Sequence, residues 1–142
     1  FNYPDAYRNR ASAYYEQHAY EKAIADLTEL IRLQPDDPTA YNLRAVAYHD
    51  DGQQQKAIDD CNRAIRLKAD FAEAYNTRGM AQAALRDFNG AIAAFSDAIR
   101  LKPDYAIAYY SRGLAFQQSG DSGLGAKDIE HAKSLGFTPP KE

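Results

Sequence analysis

Residues 63–79 read RAIRLKADFAEAYNTRG, and residues 97–113 read DAIRLKPDYAIAYYSRG, 34 positions later (97 − 63). The echo extends along the chain. Tyr7, Tyr41, Tyr75 and Tyr109 keep the same step (41 − 7, 75 − 41, 109 − 75). So do Arg10, Arg44, Arg78 and Arg112, and the small residues Ala11, Ala45, Gly79 and Gly113. Ala23, Ala57 and Ala91 recur in the second half of the period, with Ile31, Ile65 and Ile99. A fixed period of this size marks stacked structural units. Four units follow, 4–37, 38–71, 72–105 and 106–139, forming a single domain over 1–142.

Within a unit the apolar spacing is helical. Tyr41, Ala45 and Tyr48 fall at i, i+4 and i+7, and Ala57, Cys61, Ala64 and Ile65 share a face in the second half. No sustained two-residue alternation appears, so strands are not expected. Each unit reads as two helices of about 14 residues, roughly 21 Å long. Gly52 and Gly120 stand between the halves, where a left-handed residue ends a helix, and His18 and Arg86 occupy the same place in the other units. Pro35 and Pro103 stop the second helix. Asp70 and Asp104 are expected to cap the following first helix. Arg66, Lys68, Arg100 and Lys102 suit the negative end of the helix dipole.

These positions resemble the tetratricopeptide repeat, whose unit runs aromatic, small, aromatic, Ala, apolar, Ala, Pro. Unit 3 supplies Tyr75, Gly79, Ala91, Phe95, Ala98 and Pro103. Unit 2 supplies Tyr41, Ala45, Tyr48, Ala57, Cys61 and Ala64, with Ala69 for Pro, and unit 1 supplies Tyr7, Ala11, Tyr14, Ala23, Leu27 and Pro35. The fourth unit departs in its second helix. Gly125 stands for Ala and Ser122 for an aromatic, and each glycine of SGDSGLG costs a helix interior about 1 kcal/mol. The resemblance implies an all-α, right-handed superhelix, a solenoid whose first helices line a concave surface. One unit cannot bury its own apolar face, so neighbours must stack. Many such arrays end in a polar capping helix. Here only FTPPKE follows, leaving an expected open apolar face on the last helix.

The totals fit this class. The 142 residues are 45% hydrophobic and 26% charged, with a net charge of −3 and a pI near 5.6. An acidic balance disfavours nucleic acid and anionic lipid as partners. No run approaches the roughly 18 to 20 apolar residues of a membrane helix. One cysteine, Cys61, excludes an intrachain disulfide and leaves the compartment open between cytoplasm and periplasm. The chain begins at Phe1, so a processed form or fragment is expected.

Chemistry is sparse. His18, His49 and His131 lack a partner at catalytic spacing and read as solvated side chains. His49 precedes Asp50 and Asp51, but adjacent helical residues diverge, so no metal site is expected. Cys61 occupies the interior position of Leu27 and Phe95 and reads as a core residue. No enzyme activity and no cofactor are expected. The arginine row admits an anion-binding reading or a structural one, with Asp26, Asp60 and Asp128 as partners and Ala94 breaking the series. The structural one is favoured. The tyrosine row reads as core.

Positions one step after the packed face would line the concavity. They are Arg8, Ser12 and Tyr15; Asn42, Val46 and His49; Asn76, Met80 and Ala83; Tyr110, Leu114 and Gln117, flanked by Asp5, Thr39, Glu73 and Ile107. Asn42 and Asn76 stand at matching places, where an amide can serve a peptide backbone. Val46, Met80 and Leu114 make an apolar strip. The expected function is a non-catalytic scaffold that binds an extended peptide or helix of a protein partner in this groove. Two alternatives stand beside it: self-assembly through the terminal helix, and a regulatory segment of a larger enzyme or secretion component. Some family members clamp acidic chaperone tails with Lys, Asn, Asn, Lys and Arg. Matching positions here hold Arg8, Ser12, Leu43, Glu73 and Thr77, which disfavours such tails.

Overall fold

Apolar residues three and four apart give each segment one oily face, and such faces are stable only when paired. The computed structural model describes residues 3–141, which form eight α-helices with no strand among the described residues. They are α1 (Pro4–Glu16), α2 (Tyr20–Leu33), α3 (Pro38–Asp50), α4 (Gln54–Leu67), α5 (Ala72–Ala84), α6 (Phe88–Leu101), α7 (Ala106–Gln118) and α8 (Ser122–Ser134). Consecutive helices pack side by side. Among the first helices, α3 touches α5 and α5 touches α7, while no comparable contact joins successive second helices. The first helices therefore form the tighter, inner row of an all-α superhelix.

Local chemistry sets the helix ends. The carboxylate of Asp37 accepts from the Thr39 amide at 2.9 Å, with Pro38 opening α3. Asp87 and Asp121 cap α6 and α8 by accepting from Gly90 and Leu124 amides at 3.0 and 3.1 Å. Asp70 and Asp104 do not cap α5 and α7. The N-cap positions belong to Phe71 and Tyr105, one residue later, and neither offers a side-chain acceptor. Packing wins there: Phe71 joins Ala64 and Ala74, Tyr105 joins Ala98 and Ala108, and Lys68 and Lys102 lie 4.9 and 4.7 Å from their ring centres. The turns at Gly52 and Gly120 have φ of 82° and 98°, while His18 and Arg86 adopt 58° and 62° despite carrying a Cβ.

The core is a stack of helix pairs matched in size. Ala11 packs with Leu27, Ala45 with Cys61, and Gly79 leaves room for Phe95, whose ring lies 2.7 Å from where a Cβ would stand. In the last pair Gly113 and Gly125 face each other, and a Cβ on either would sit 2.8 or 2.7 Å from the other's carbonyl oxygen. Gly125 is thus a close-approach residue of α7 and α8.

Arg10, Arg44 and Arg112 tie the two helices of a unit together, and Arg44, Arg78 and Arg112 reach the preceding unit. Arg44 donates through Nε and Nη2 to Asp60 at 2.7 and 2.8 Å, and Asp60 also accepts from Arg63. Arg10 pairs with Asp26 and Arg112 with Asp128 in the same two-pronged way. Arg78 faces Ala94 and donates instead to Asn62 at 3.0 Å; its buried Nε has no partner.

The outgoing seam changes character at the last helix. Ile58 packs beside Ala81, Ile65 beside Ala74, Ile92 beside Ala115 and Ile99 beside Ala108, each reaching into the next unit. At the corresponding places α8 carries Ala126 and Lys133 (92 + 34, 99 + 34), and Lys133 is tied to Glu130 at 3.1 Å. The open face expected there is therefore polar along this seam, though Leu124 and Leu135 remain exposed.

Candidate functional site: the inner surface of the superhelix

The gaps between inner helices decide what this surface offers. Two recesses open on it. One, of about 480 Å³, lies between α5 and α7 and is lined by Met80, Phe88, Phe95 and Leu114, with His49, Arg86 and Gln118 at its rim. The other, of about 210 Å³, lies between α1 and α3 over Leu27, Leu43 and Val46, bordered by Ser12, Tyr15 and Glu16. Between them α3 and α5 pack more closely.

The proposed groove residues divide between these places. Val46, Ser12 and Tyr15 border the first-unit recess; Met80, His49 and Leu114 border the larger one. Arg8 is not a free cation, because its Nη2 donates to Asp37 at 2.6 Å. The Ser12 hydroxyl is turned back to the Arg8 carbonyl at 3.1 Å. Tyr15 donates its phenol hydrogen to Asp50 and packs on the Tyr20 ring at 5.6 Å. Burial, then the Asp50 carboxylate, push the Tyr15 pKa well above the ordinary phenol value. His49 meets the Gln54 amide oxygen through Nδ1 at 2.7 Å, which fixes its ring at the rim. Gln117 lies against Gly125, so α7 presents Gln118 to the recess in its place. Tyr110 is covered by Phe137, whose ring centre is 4.7 Å away after the chain reverses at Gly136.

Asn42 and Asn76 differ from the sequence expectation. Asn76 is only 6% exposed, its Nδ2 lies 3.5 Å from the Met80 sulfur, and its Oδ1 is buried without a partner. The Oδ1 of Asn42 is likewise buried and unpartnered. Neither oxygen is presented to a ligand as the side chains stand. Leaving such an atom unpaired costs about 1 to 3 kcal/mol, so both amides gain from any rearrangement that supplies a donor.

Sequence reasoning missed the residues that shape the recesses: Leu27, Leu43, Phe88, Phe95 and Gln118. They sit on helix flanks or at the floor, not on the stripe facing the concavity. The rim is acidic. Asp5, Glu16, Asp50 and Glu73 are exposed on the inner helices, while Arg44, Arg78 and Arg112 are turned into the junctions between units and Arg10 is held by Asp26. Glu73 and, above all, burial raise the Tyr105 pKa to about 12.

The other candidate chemistry has structural surroundings. Cys61 is buried, and burial followed by the Asp60 charge pushes its thiol up to about 12. His131 stacks edge-on against Tyr109 at 4.4 Å. Among the described residues no group of three or more His, Cys, Asp or Glu is placed to hold a metal ion. No helix of the described residues is long and apolar enough to cross a membrane.

Comparison with known proteins places this architecture. No curated protein sequence matches the chain. The solved structure of MamA superposes with a TM-score of 0.85 at 27% identity, covering 95% of this chain and 79% of that one. The first TPR of Spaghetti (RPAP3), solved with the HSP90 peptide SRMEEVD, superposes at 0.77 with 26% identity over 80% of this chain and 93% of that one. A thermophilic TPR protein of Thermus thermophilus gives 0.86 at 19% identity over 94% and 74%, a likeness of fold. A family model described as TPR repeat matches residues 11–52 and 83–120, and one described as tetratricopeptide repeat matches residues 38–71. Those matches span more than half of the chain, and with its paired helices and 34-residue period the chain belongs to the tetratricopeptide repeat family.

Proposed function

We propose that the four units act as one non-catalytic interaction domain and that its inner surface holds an extended peptide of a partner protein. The observation that carries this reading is the pair of apolar recesses on the inner face. They are two inner-helix spacings apart, roughly 20 Å at 8 to 10 Å per helix. An extended chain advances about 3.3 Å per residue, so two apolar side chains about six residues apart would fill both. Exposed Asp5, Glu16, Asp50 and Glu73 favour a neutral or basic peptide. Asn42 and Asn76 lie between the recesses, and turning either amide toward the ligand would relieve a buried unpaired oxygen.

The RPAP3 domain was solved with an acidic chaperone peptide, and this chain departs from that chemistry. Arg8 is already engaged by Asp37, Leu43 floors a recess, Thr77 is buried, and Glu73 adds a negative charge. Titration with SRMEEVD by calorimetry should show no binding; micromolar affinity would overturn this part. Self-assembly through α8 has less behind it, because Ala126 and Lys133 replace the isoleucines of the other outgoing seams.

Selection from a displayed random-peptide library tests the main reading. Selected peptides should carry two apolar residues at the stated spacing and no net negative charge. Val46→Glu with Leu114→Glu should weaken them by at least about tenfold, the effect of charging two apolar contacts. Unchanged binding by that double variant would sink the groove.

A further inference from the structure

One position of the inner helices carries a different side chain in each unit: Tyr15, His49, Ala83 and Gln117. In the first two units its ring reaches the residue five places on, where the second helix begins. The Tyr15 ring packs on the Tyr20 ring at 5.6 Å, and its hydroxyl donates to Asp50 of α3. The His49 ring meets Gln54 through Nδ1 at 2.7 Å.

The third unit keeps the surroundings of Tyr15 and omits its ring. Two units on, Ala83 stands for Tyr15, Phe88 for Tyr20, Arg86 for His18 and Gln118 for Asp50. Leu27, Leu43 and Val46, which border the smaller recess, correspond in the same way to Phe95, Ser111 and Leu114, which border the larger. The two recesses are therefore the same place in the fold, and the larger one, about 480 Å³ against 210 Å³, is the one whose ring is missing. Tyr15 borders the smaller recess; with alanine in its place, Phe88 and Arg86 themselves border the larger. The Arg86 guanidinium lies 5.3 Å from the Phe88 ring centre, much as the His18 ring lies 5.9 Å from that of Tyr20. Arg86 and Gln118 are exposed, and neither side chain makes a hydrogen bond or ion pair among the described residues.

We propose that the larger recess is a tyrosine pocket, filled by a tyrosine side chain of the partner peptide in the place that Tyr15 holds in the first unit. The inference rests on the reading of the inner surface as a peptide groove, and it names which anchor enters which recess. The ring lies over Phe88 beside the Arg86 guanidinium, and its hydroxyl donates to the Gln118 amide oxygen, as that of Tyr15 donates to Asp50. Ring contacts and the cation favour an aromatic over an aliphatic side chain of equal size. The smaller recess, which Tyr15 already borders, is left for an aliphatic side chain. The two anchors are thus unlike, and together they fix the register of the peptide.

The test is a nuclear magnetic resonance titration of isotope-labelled protein with p-cresol, which is the tyrosine side chain by itself. Amide signals of Ala83, Phe88, Leu114 and Gln118 should move and saturate with a Kd of about 1 to 10 mM, while those of Leu43 and Val46 stay in place. Cyclohexanol, of similar size without an aromatic face, should bind about threefold more weakly or worse. Gln118→Ala should weaken p-cresol by about threefold. Ala83→Tyr, which restores the ring to the third unit, should abolish the shifts. Tyr15→Ala, which removes it from the first, should create a second saturable site reported by Tyr20, Leu43 and Val46. No saturable shift up to about 50 mM p-cresol, equal binding of cyclohexanol, full affinity in Ala83→Tyr or Gln118→Ala, or no second site in Tyr15→Ala would overturn the proposal. The two readings fail separately. Library peptides that lack an aromatic residue, or that keep full affinity for Ala83→Tyr yet lose it in Val46→Glu with Leu114→Glu, would overturn the tyrosine pocket and leave the groove standing. Saturable p-cresol shifts with no peptide selected would uphold the pocket and sink the extended-peptide reading.

Discussion

Replacing Asp60 by alanine isolates what the seam arginines do. The Asp60 side chain is 1% exposed and accepts from Arg44 Nε at 2.7 Å, Arg44 Nη2 at 2.8 Å and Arg63 Nη1 at 2.9 Å. The Arg44 side chain is 12% exposed, so its guanidinium cannot recover full hydration when the carboxylate goes. What remains is one bond to Thr28 and the faces of Tyr41 and Tyr48, 5.9 and 5.7 Å away. Removing one partner of a buried pair costs about 3 to 5 kcal/mol, and the tyrosine faces return at most about 2 kcal/mol. We expect Asp60→Ala to lose about 3 kcal/mol. Asp26→Ala makes the same cut where Arg10 is 53% exposed and can be rehydrated, so its cost should fall to about 1 kcal/mol or less. Asp128→Ala, beside an arginine 21% exposed, should lie between. The double change Arg44→Met with Asp60→Leu should recover most of the loss, because no buried charge is left behind. Urea unfolding followed by circular dichroism measures all four. Equal losses at Asp26 and Asp60 would refute the argument, since burial of the arginine would then not set the cost.

Four further outcomes are expected. Gly125→Ala, which moves the chain toward the family pattern, should destabilise it by about 1 to 3 kcal/mol, because a Cβ there would press on Gln117 and the Gly113 carbonyl; a rise in melting temperature would contradict the close approach. Ala94→Asp should stabilise by about 1 kcal/mol or more by giving the buried Arg78 Nε an acceptor, and a loss in urea unfolding would count against that pairing. Cys61 has its thiol raised from 9.0 to about 12 in the folded chain, so the unfolded chain ionises first as pH rises; stability should be complete below 9 and fall between 9 and 12, with a shallower fall in Cys61→Ala and no labelling of the native thiol by iodoacetamide at pH 8 as the checks. Arg86→Gly should raise stability by up to about 1 kcal/mol, because a side chain no longer occupies a φ of 62°; no gain would mean that the Arg86 contact with Phe88, at 5.3 Å, compensates the strain.

Why the fold could be read from the sequence and the inner surface only in part follows from how each is encoded. A core position in this array is written four times, so Tyr7, Tyr41, Tyr75 and Tyr109 or Arg10, Arg44, Arg78 and Arg112 confirm one another by period alone. Caps were less legible, because Asp70 and Asp104 lie one residue from a position that Phe71 and Tyr105 hold for packing. The inner surface has no such redundancy. Arg8, Asn42, Asn76 and Tyr110 share one position and meet three different fates: an ion pair with Asp37, a buried amide oxygen in both asparagines, and a cover from Phe137. Each fate depends on a residue outside the stripe, so no spacing rule applied to the stripe would have found it. The recesses are a further step removed, since they arise where neighbouring inner helices stand apart and their floors are core residues such as Leu27 and Phe95.

The same logic separates the two ends of the stack. A seam needs both of its halves, and the period shows each half on its own. At α8 the outgoing half has been rewritten, with Lys133 in the row of Ile31, Ile65 and Ile99. At α1 the receiving half is intact in Ala6, Arg10 and Ala13. The period thus shows the two ends to differ in chemistry: Ala6, Arg10 and Ala13 keep the alanine–arginine–alanine pattern of the inner helices, while Ala126 and Lys133 depart from the isoleucine pattern of the second helices.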